Sequence, residues 1–167
     1  MKRGKVKLVG IEKVMRNLQR EIKNIEGLSM KGLIRAAIII RRDMDKTSPL
    51  IPLDKGNLRA SFYTVTGRNF LSDIAESKNP NFRGKGKAEM STNHAKDLSG
   101  AKSIAGDKLI VVMGFSAVYA MWVHEMMGNS NGTWSRPGSG PKFFEYSINR
   151  NAAKVLQEIR KSATIKN

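Results

Sequence analysis

Leu109, Ile110, Val111, Val112, Met113, Gly114 and Phe115 form an apolar run with no polar position in it. A half-buried strand alternates apolar and polar side chains, so an unbroken run of this length predicts a strand covered on both faces. Three other stretches have helical periodicity. Ile11, Met15, Leu18, Ile22 and Ile25 step by four and three residues, which sets them on one face of a helix. Met30, Leu33, Ala37, Ile40 and Met44 repeat the stepping over residues 29–46, and Ile34, Ile38 and Ile39 widen that face. Gly27 reads as the break or kink between these helices. Pro49 ends the second, because the residue before a proline disfavours the helical region. Each stripe is too short for three or four heptads, so both read as core packing rather than coiled coil. The last stretch, residues 141–162, opens on Pro141 and sets Phe144, Ile148, Ala152, Val155 and Ile159 on an inner face.

Between these helices the signals change. Lys5, Val6, Lys7, Leu8 and Val9 alternate briefly, as an edge strand would. Pro49, Leu50, Ile51 and Pro52 form a rigid connector, and residues 53–59, with Asp54, Gly56 and Asn57, carry turn chemistry. Phe62, Tyr63, Thr64 and Val65 mark residues 60–66 as a strand. Residues 67–107 are polar, basic and glycine-bearing, with a little helical pattern at Leu71, Ile74 and Ala75. They read as an extended insertion loop, either functional or ordered by a partner. Residues 118–127 suit a short helix or turn, and a Gly/Asn/Ser/Pro-rich loop runs from there to Pro141.

Length and composition fit one domain over residues 1–167 with a core of its own. No apolar run is long enough to span a bilayer, and no signal-peptide pattern follows the basic start, so no membrane partner is expected. With no cysteine there is no disulfide framework and no thiolate metal site, which suits a reducing cytosol. The net charge of +16 and pI near 10.4 point to polyanionic partners, or equally to a solvated basic surface. Residues 1–46 hold 13 Lys/Arg against 5 Asp/Glu, residues 68–108 hold 8 against 5, and residues 141–167 hold 6 against 2. Charge spread in this way suits a broad electrostatic surface better than a sequence-reading helix.

The same residues offer little catalytic or metal-binding chemistry. His124 and Glu125 open like a zinc-peptidase motif, but position 128 is glycine where the second histidine is needed. The other histidine, His94, falls in the insertion, and two isolated histidines do not make a metal site. No nucleophile elbow and no phosphate-binding loop with the right spacing occurs. The expectation is a non-enzyme with no cofactor; a small hydrolase using His124 and Glu125 is a distant third reading. Trp122, beside Tyr119 and Val123, reads as core, as do Phe143 and Phe144. Trp134 sits in a Gly/Ser/Asn/Pro loop near Arg136 and reads either as an interface anchor or as a staple to the body. The partner-interface candidates are Trp134 and Arg136, Phe82, Arg83, Lys85 and Lys87 from the insertion, and Asn57 and Arg59 from the turn.

The order of these signals resembles the tail-completion (minor tail, or neck) proteins of long-tailed bacteriophages. That family has a proline, a Thr-Gly pair, a leucine and a serine leading into a strand, then Tyr-Ala, Val-Glu and Gly-Thr, then Arg-Pro-Phe before the last helix. Here Gly56, Leu58 and Ser61 match the first block, and Tyr119, Ala120, Val123 and Glu125 the second, with His124 an inserted step. Gly128, or Gly132 with Thr133, matches its glycine, and Arg136, Pro137 and Pro141 to Phe144 match the third block loosely. Residues 67–107 and the loop before Pro141 are longer than the family pattern. The resemblance implies an α+β fold, a small antiparallel sheet packed by the N-terminal helices and a C-terminal helix. It implies a homo-oligomeric ring of six or more copies at the top of the tail tube, which seals the tail or joins it to the head. Its partners would be the adjacent neck connector and tail-tube proteins, with DNA in the channel as the other surface the charge admits. The protein would then be made in the host bacterial cytoplasm and end in the virion. The competing reading is a stand-alone basic nucleic-acid-binding domain.

Overall fold

A computed structural model describes residues 11–67, 81–126 and 134–163. Helix α1 spans Ile11–Lys46, the short α2 Asn57–Ala60, strand β1 Phe62–Thr66, α3 Lys87–Ala105, β2 Val111–Phe115, α4 Ala120–Glu125 and α5 Phe143–Ala163. The fold is α+β: a small antiparallel sheet packed against the N-terminal and C-terminal helices. The expected strand at Lys5 to Val9 and the pattern at Leu71, Ile74 and Ala75 lie outside the described residues.

The two expected N-terminal helices are one, 36 residues long and roughly 54 Å at 1.5 Å per residue. Gly27 does not break it, since one glycine costs a helix only about 1 kcal/mol. The four-and-three stepping of Ile11 to Ile25 carries on through Ser29, Gly32 and Ala36, so both halves share a face. In the second half that face takes α5, which runs back along α1 from Met44 towards Gly32. A methyl group at Gly32 would stand 2.9 Å from the Ile159 Cα, so glycine is what lets the helices approach. Ser147 is fully buried and donates its hydroxyl to the Ile40 carbonyl at 2.9 Å. Phe144, Val155 and Ile159 of the expected face of α5 do pack inward, joined by Phe143, Ser147 and Ser162, while Ile148 and Ala152 turn outward. The two serines take buried positions that the apolar stepping does not mark.

Arg150 closes the far end of this pair. Its Nε and Nη2 both reach the Asp43 carboxylate, and Nη1 donates to the Ser48 carbonyl at 2.9 Å. Burial pushes the Asp43 carboxyl up, but hydrogen bonds from Arg150, Asn151, Ser147 and Thr47 outweigh it and leave the pKa below its usual value.

β1 and β2 pair antiparallel, from Phe62 opposite Phe115 to Thr66 opposite Val111. Phe62, Met113 and Phe115 face a core of Ile40, Met44, Ile51, Leu58 and Phe143. Tyr63, Val65 and Val112 face the other way, onto Ala101 and Ala105 of α3. The apolar run of β2 has this cause: helices cover both sides of the sheet. Gly114 leaves room for the Tyr63 ring, since a Cβ there would lie 2.6 Å from the Tyr63 hydroxyl and force the ring to shift.

The insertion is not structureless from residue 87 onward. Residues 87–105 form α3, and its inward residues His94, Leu98, Ala101 and Ala105 keep helical spacing. Three of those four are small or polar, so the apolar stripe that marks a helix in sequence is nearly silent.

Candidate partner-binding face

The residues of block two of the resemblance form α4 and the turn before it. Ala120 and Val123 pack inward on the Phe143 core. With six residues and one inward face, α4 has no room to bury the rest. Trp122 is 76% exposed and Met121 74%, with Val118 beside them. The expectation that Trp122 is core is thus overturned: it projects about a quarter turn away from Val123 and is left open, with none of the described residues burying it. Two large apolar side chains, adjacent on a short helix, are thus left open.

Glu125 and Lys142 fasten α4 to the start of α5. The Lys142 ammonium pairs with Glu125 and, at 3.2 Å, with Glu145, and its backbone N–H donates to the His124 carbonyl at 2.8 Å. Hydrogen bonds from Lys142, then from His124, hold the Glu125 carboxyl below its ordinary range, and Glu125 in turn raises Lys142. His124 Nδ1 lies 2.8 Å from Glu125 and its ring stands edge-on to Phe143, so the pair serves as a structural tie.

Beside α4 opens a cleft of about 330 Å³. Leu53, Leu58, Met90, Tyr119, Val123 and Trp134 give it an apolar floor, and Lys55, Arg83 and Lys85 a basic rim with Asp54 as the acid among them. Lys55, Arg83 and Lys85 make no ion pair with the described residues. Gly56, at φ 83°, turns the chain into α2, and Asn57 then clamps the insertion. Its Nδ2 donates to the Arg83 carbonyl and its Oδ1 accepts from the Arg83 N–H, both at 2.8 Å. Burial, then the Asp54 charge, raises the Tyr119 phenol, and a backbone hydrogen bond at Leu58 pulls back against them. A second depression, of about 520 Å³, adjoins the cleft and is lined by Arg41, Arg59, Asn81 and Arg83. Arg41 and Arg59 there share Asp45, at 2.7 and 3.0 Å.

Of the interface candidates, Trp134, Asn57, Arg83 and Lys85 meet at this cleft, Arg59 lies in the depression next to it, and Lys87 stands exposed at the start of α3. Phe82 needs correction. It is 4% exposed, with its ring edge-on to His94 at 5.9 Å, so it anchors the insertion rather than meeting a partner. Arg136 is also committed inward, donating to the Asp45 carbonyl at 2.6 Å. Met121, Trp122 and Lys55 were missed. The signal was there for the first two: residues 118–123 are apolar on every side, and so short a helix cannot bury all of them.

Among the described residues no cluster of three metal-ligating side chains occurs, and no helix is long and apolar enough to cross a membrane. No known protein family, no curated protein and no solved structure matches this chain.

Proposed function

We propose that this chain is a structural subunit of a bacteriophage neck, a non-catalytic protein that completes the tail or joins it to the head as a ring of identical copies. The observation that carries the reading is the open apolar surface of α4 beside a basic cleft. A surface of that kind serves contact with protein. The resemblance adds the setting. Leu58 and Ser61 of its first block are buried at the start of β1, Glu125 of its second holds Lys142 of its third, and Tyr119 lines the cleft. The neighbours are tail-tube and connector subunits, and the positive charge, multiplied around a ring, faces their acidic surfaces or the DNA in the channel.

Electron microscopy of the purified chain, alone and mixed with unsealed tail tubes or connectors, tests the reading. Rings seated on tube ends are expected. Monomers in every mixture would remove it. The second reading, a basic nucleic-acid-binding domain, is favoured by the net charge alone. It requires tight duplex binding by a monomer or dimer with a steep salt slope.

A further inference from the structure

Among the described residues, two stretches of exposed apolar side chains lie at opposite ends of α1. One is the α4 face with its cleft. The other is the first half of α1, where Val14, Met15, Leu18, Ile22 and Ile25 are 41–65% exposed. This stripe is the same helix face that receives α5 at Gly32, two turns further on. It is therefore a packing face that runs on past Ala163, the last described residue of α5. Its borders are acidic. Glu21 lies along one side and Glu12 and Glu26 along the other, while Lys13, Arg16, Arg20 and Lys23 share the back of the helix.

We propose that the α1 stripe of one copy docks on the α4 face of a second copy, with its glutamates towards the Lys55, Arg83 and Lys85 rim. The borders choose this occupant: an apolar stripe edged with acid meets an apolar face edged with base. Two stripes do not suit each other. Parallel pairing sets Glu21 against Glu26 of the second copy, and antiparallel pairing sets Glu12 against Glu26. Nor can the stripe fold onto its own α4 face, because Leu18 lies roughly 35 Å along a continuous helix from Arg41 beside the cleft. The exposed apolar side chains of the two faces together offer on the order of 1,000 Å², the threshold of a specific contact. Different patches meet, so the association is heterologous and runs on to a ring or a filament. The proposal rests on the self-assembly in the neck reading, not on its viral setting.

Sedimentation velocity and light scattering on the full chain test it with two variants, Leu18→Glu/Ile22→Glu and Met121→Glu/Trp122→Glu. All four side chains are exposed, and melting temperatures verify that each variant is folded. The wild type is expected to form larger species as concentration rises, and each variant alone to stay at the 18.6 kDa protomer mass. Their equimolar mixture should stop at twice that mass, because it holds one intact stripe and one intact α4 face per pair. A charge variant that leaves the apolar surfaces alone, Arg83→Glu/Lys85→Glu, should weaken assembly about tenfold, the order expected for two like-charge contacts.

A wild type that stays monomeric at about 0.1 mM overturns the proposal. So does assembly of the Met121→Glu/Trp122→Glu variant by itself, which would reveal stripe-to-stripe pairing. If the wild type forms rings on tail tubes and both variants do too, this interface falls and the neck reading stands. If the mixture behaves as expected and nothing seats on a tube, the neck reading falls and the interface stands.

Discussion

Phe82 and Trp134 are both aromatic residues near the basic rim, yet the first is interior and the second lines an open cleft. Phe82→Ala should lower stability by about 3 kcal/mol, a melting shift of roughly 10 °C, as emptied aromatic sites do. Trp134→Ala should shift melting by little and weaken assembly instead. Measuring both properties on both variants decides this; a large melting loss for Trp134→Ala would make it a staple. His94 gives a pH test. It is buried, its Nδ1 lies 2.7 Å from the Ser116 hydroxyl, and burial holds its pKa below 6.5 against a partial pull from Asp97. Between the folded and unfolded values, the unfolded chain binds a proton that the folded chain refuses. Stability is therefore full above about pH 6.5 and is lost as pH falls through the lowered folded value. The melting temperature should drop from pH 7.5 to pH 5, and His94→Leu should flatten that drop. An equal drop in the variant would assign it to another group.

Among the elements, the helices with large apolar side chains were legible and α3 was not. Its core-facing residues are His94, Leu98, Ala101 and Ala105, too small and too polar to stand out from a basic, glycine-bearing stretch. The continuity of α1 was legible only through small residues, since Gly32 and Ala36 keep the stepping without looking like a stripe. Two glycines five residues apart test that account. At Gly27 an added Cβ meets nothing within 4 Å, whereas at Gly32 it would stand 2.9 Å from the Ile159 Cα and 3.0 Å from the Ser162 Cβ. Gly27→Ala should raise the unfolding free energy by about 0.5–1 kcal/mol through helix propensity. Gly32→Ala should lower it by about 1–3 kcal/mol as α5 is pushed outward. Denaturant unfolding of the two variants reads both signs. Equal effects would mean that Gly27 hinges two helices after all.

At the scale of the whole molecule, composition announced the charge, and folding decided where it lies. The cleft was legible in part. Asn57, Arg83, Lys85 and Trp134 come from three separate stretches, and nothing in their order told that Asn57 clamps Arg83. Nine of the chain's 30 cations lie about the two faces in small groups: four on the back of the first half of α1, three on the cleft rim, and Arg41 and Arg59 already held by Asp45. A duplex laid on any one of these groups would neutralise few phosphates at once. Counterion release scales with that number, so DNA affinity should be weak and should vanish with added salt. Self-association through an apolar floor with an ionic rim responds differently, because salt screens the rim and leaves the burial of Leu18, Ile22, Met121 and Trp122 intact. Between about 50 mM and 500 mM salt the assembly constant should fall by no more than roughly tenfold, against a thousandfold or more for a protein making many phosphate contacts. Fluorescence polarisation with a short duplex, run beside sedimentation over the same salt series, compares the two slopes. A steep slope for DNA binding by a monomer, with no association of the chain with itself at any salt, would transfer the basic surface to nucleic acid and leave the α1 and α4 faces without each other.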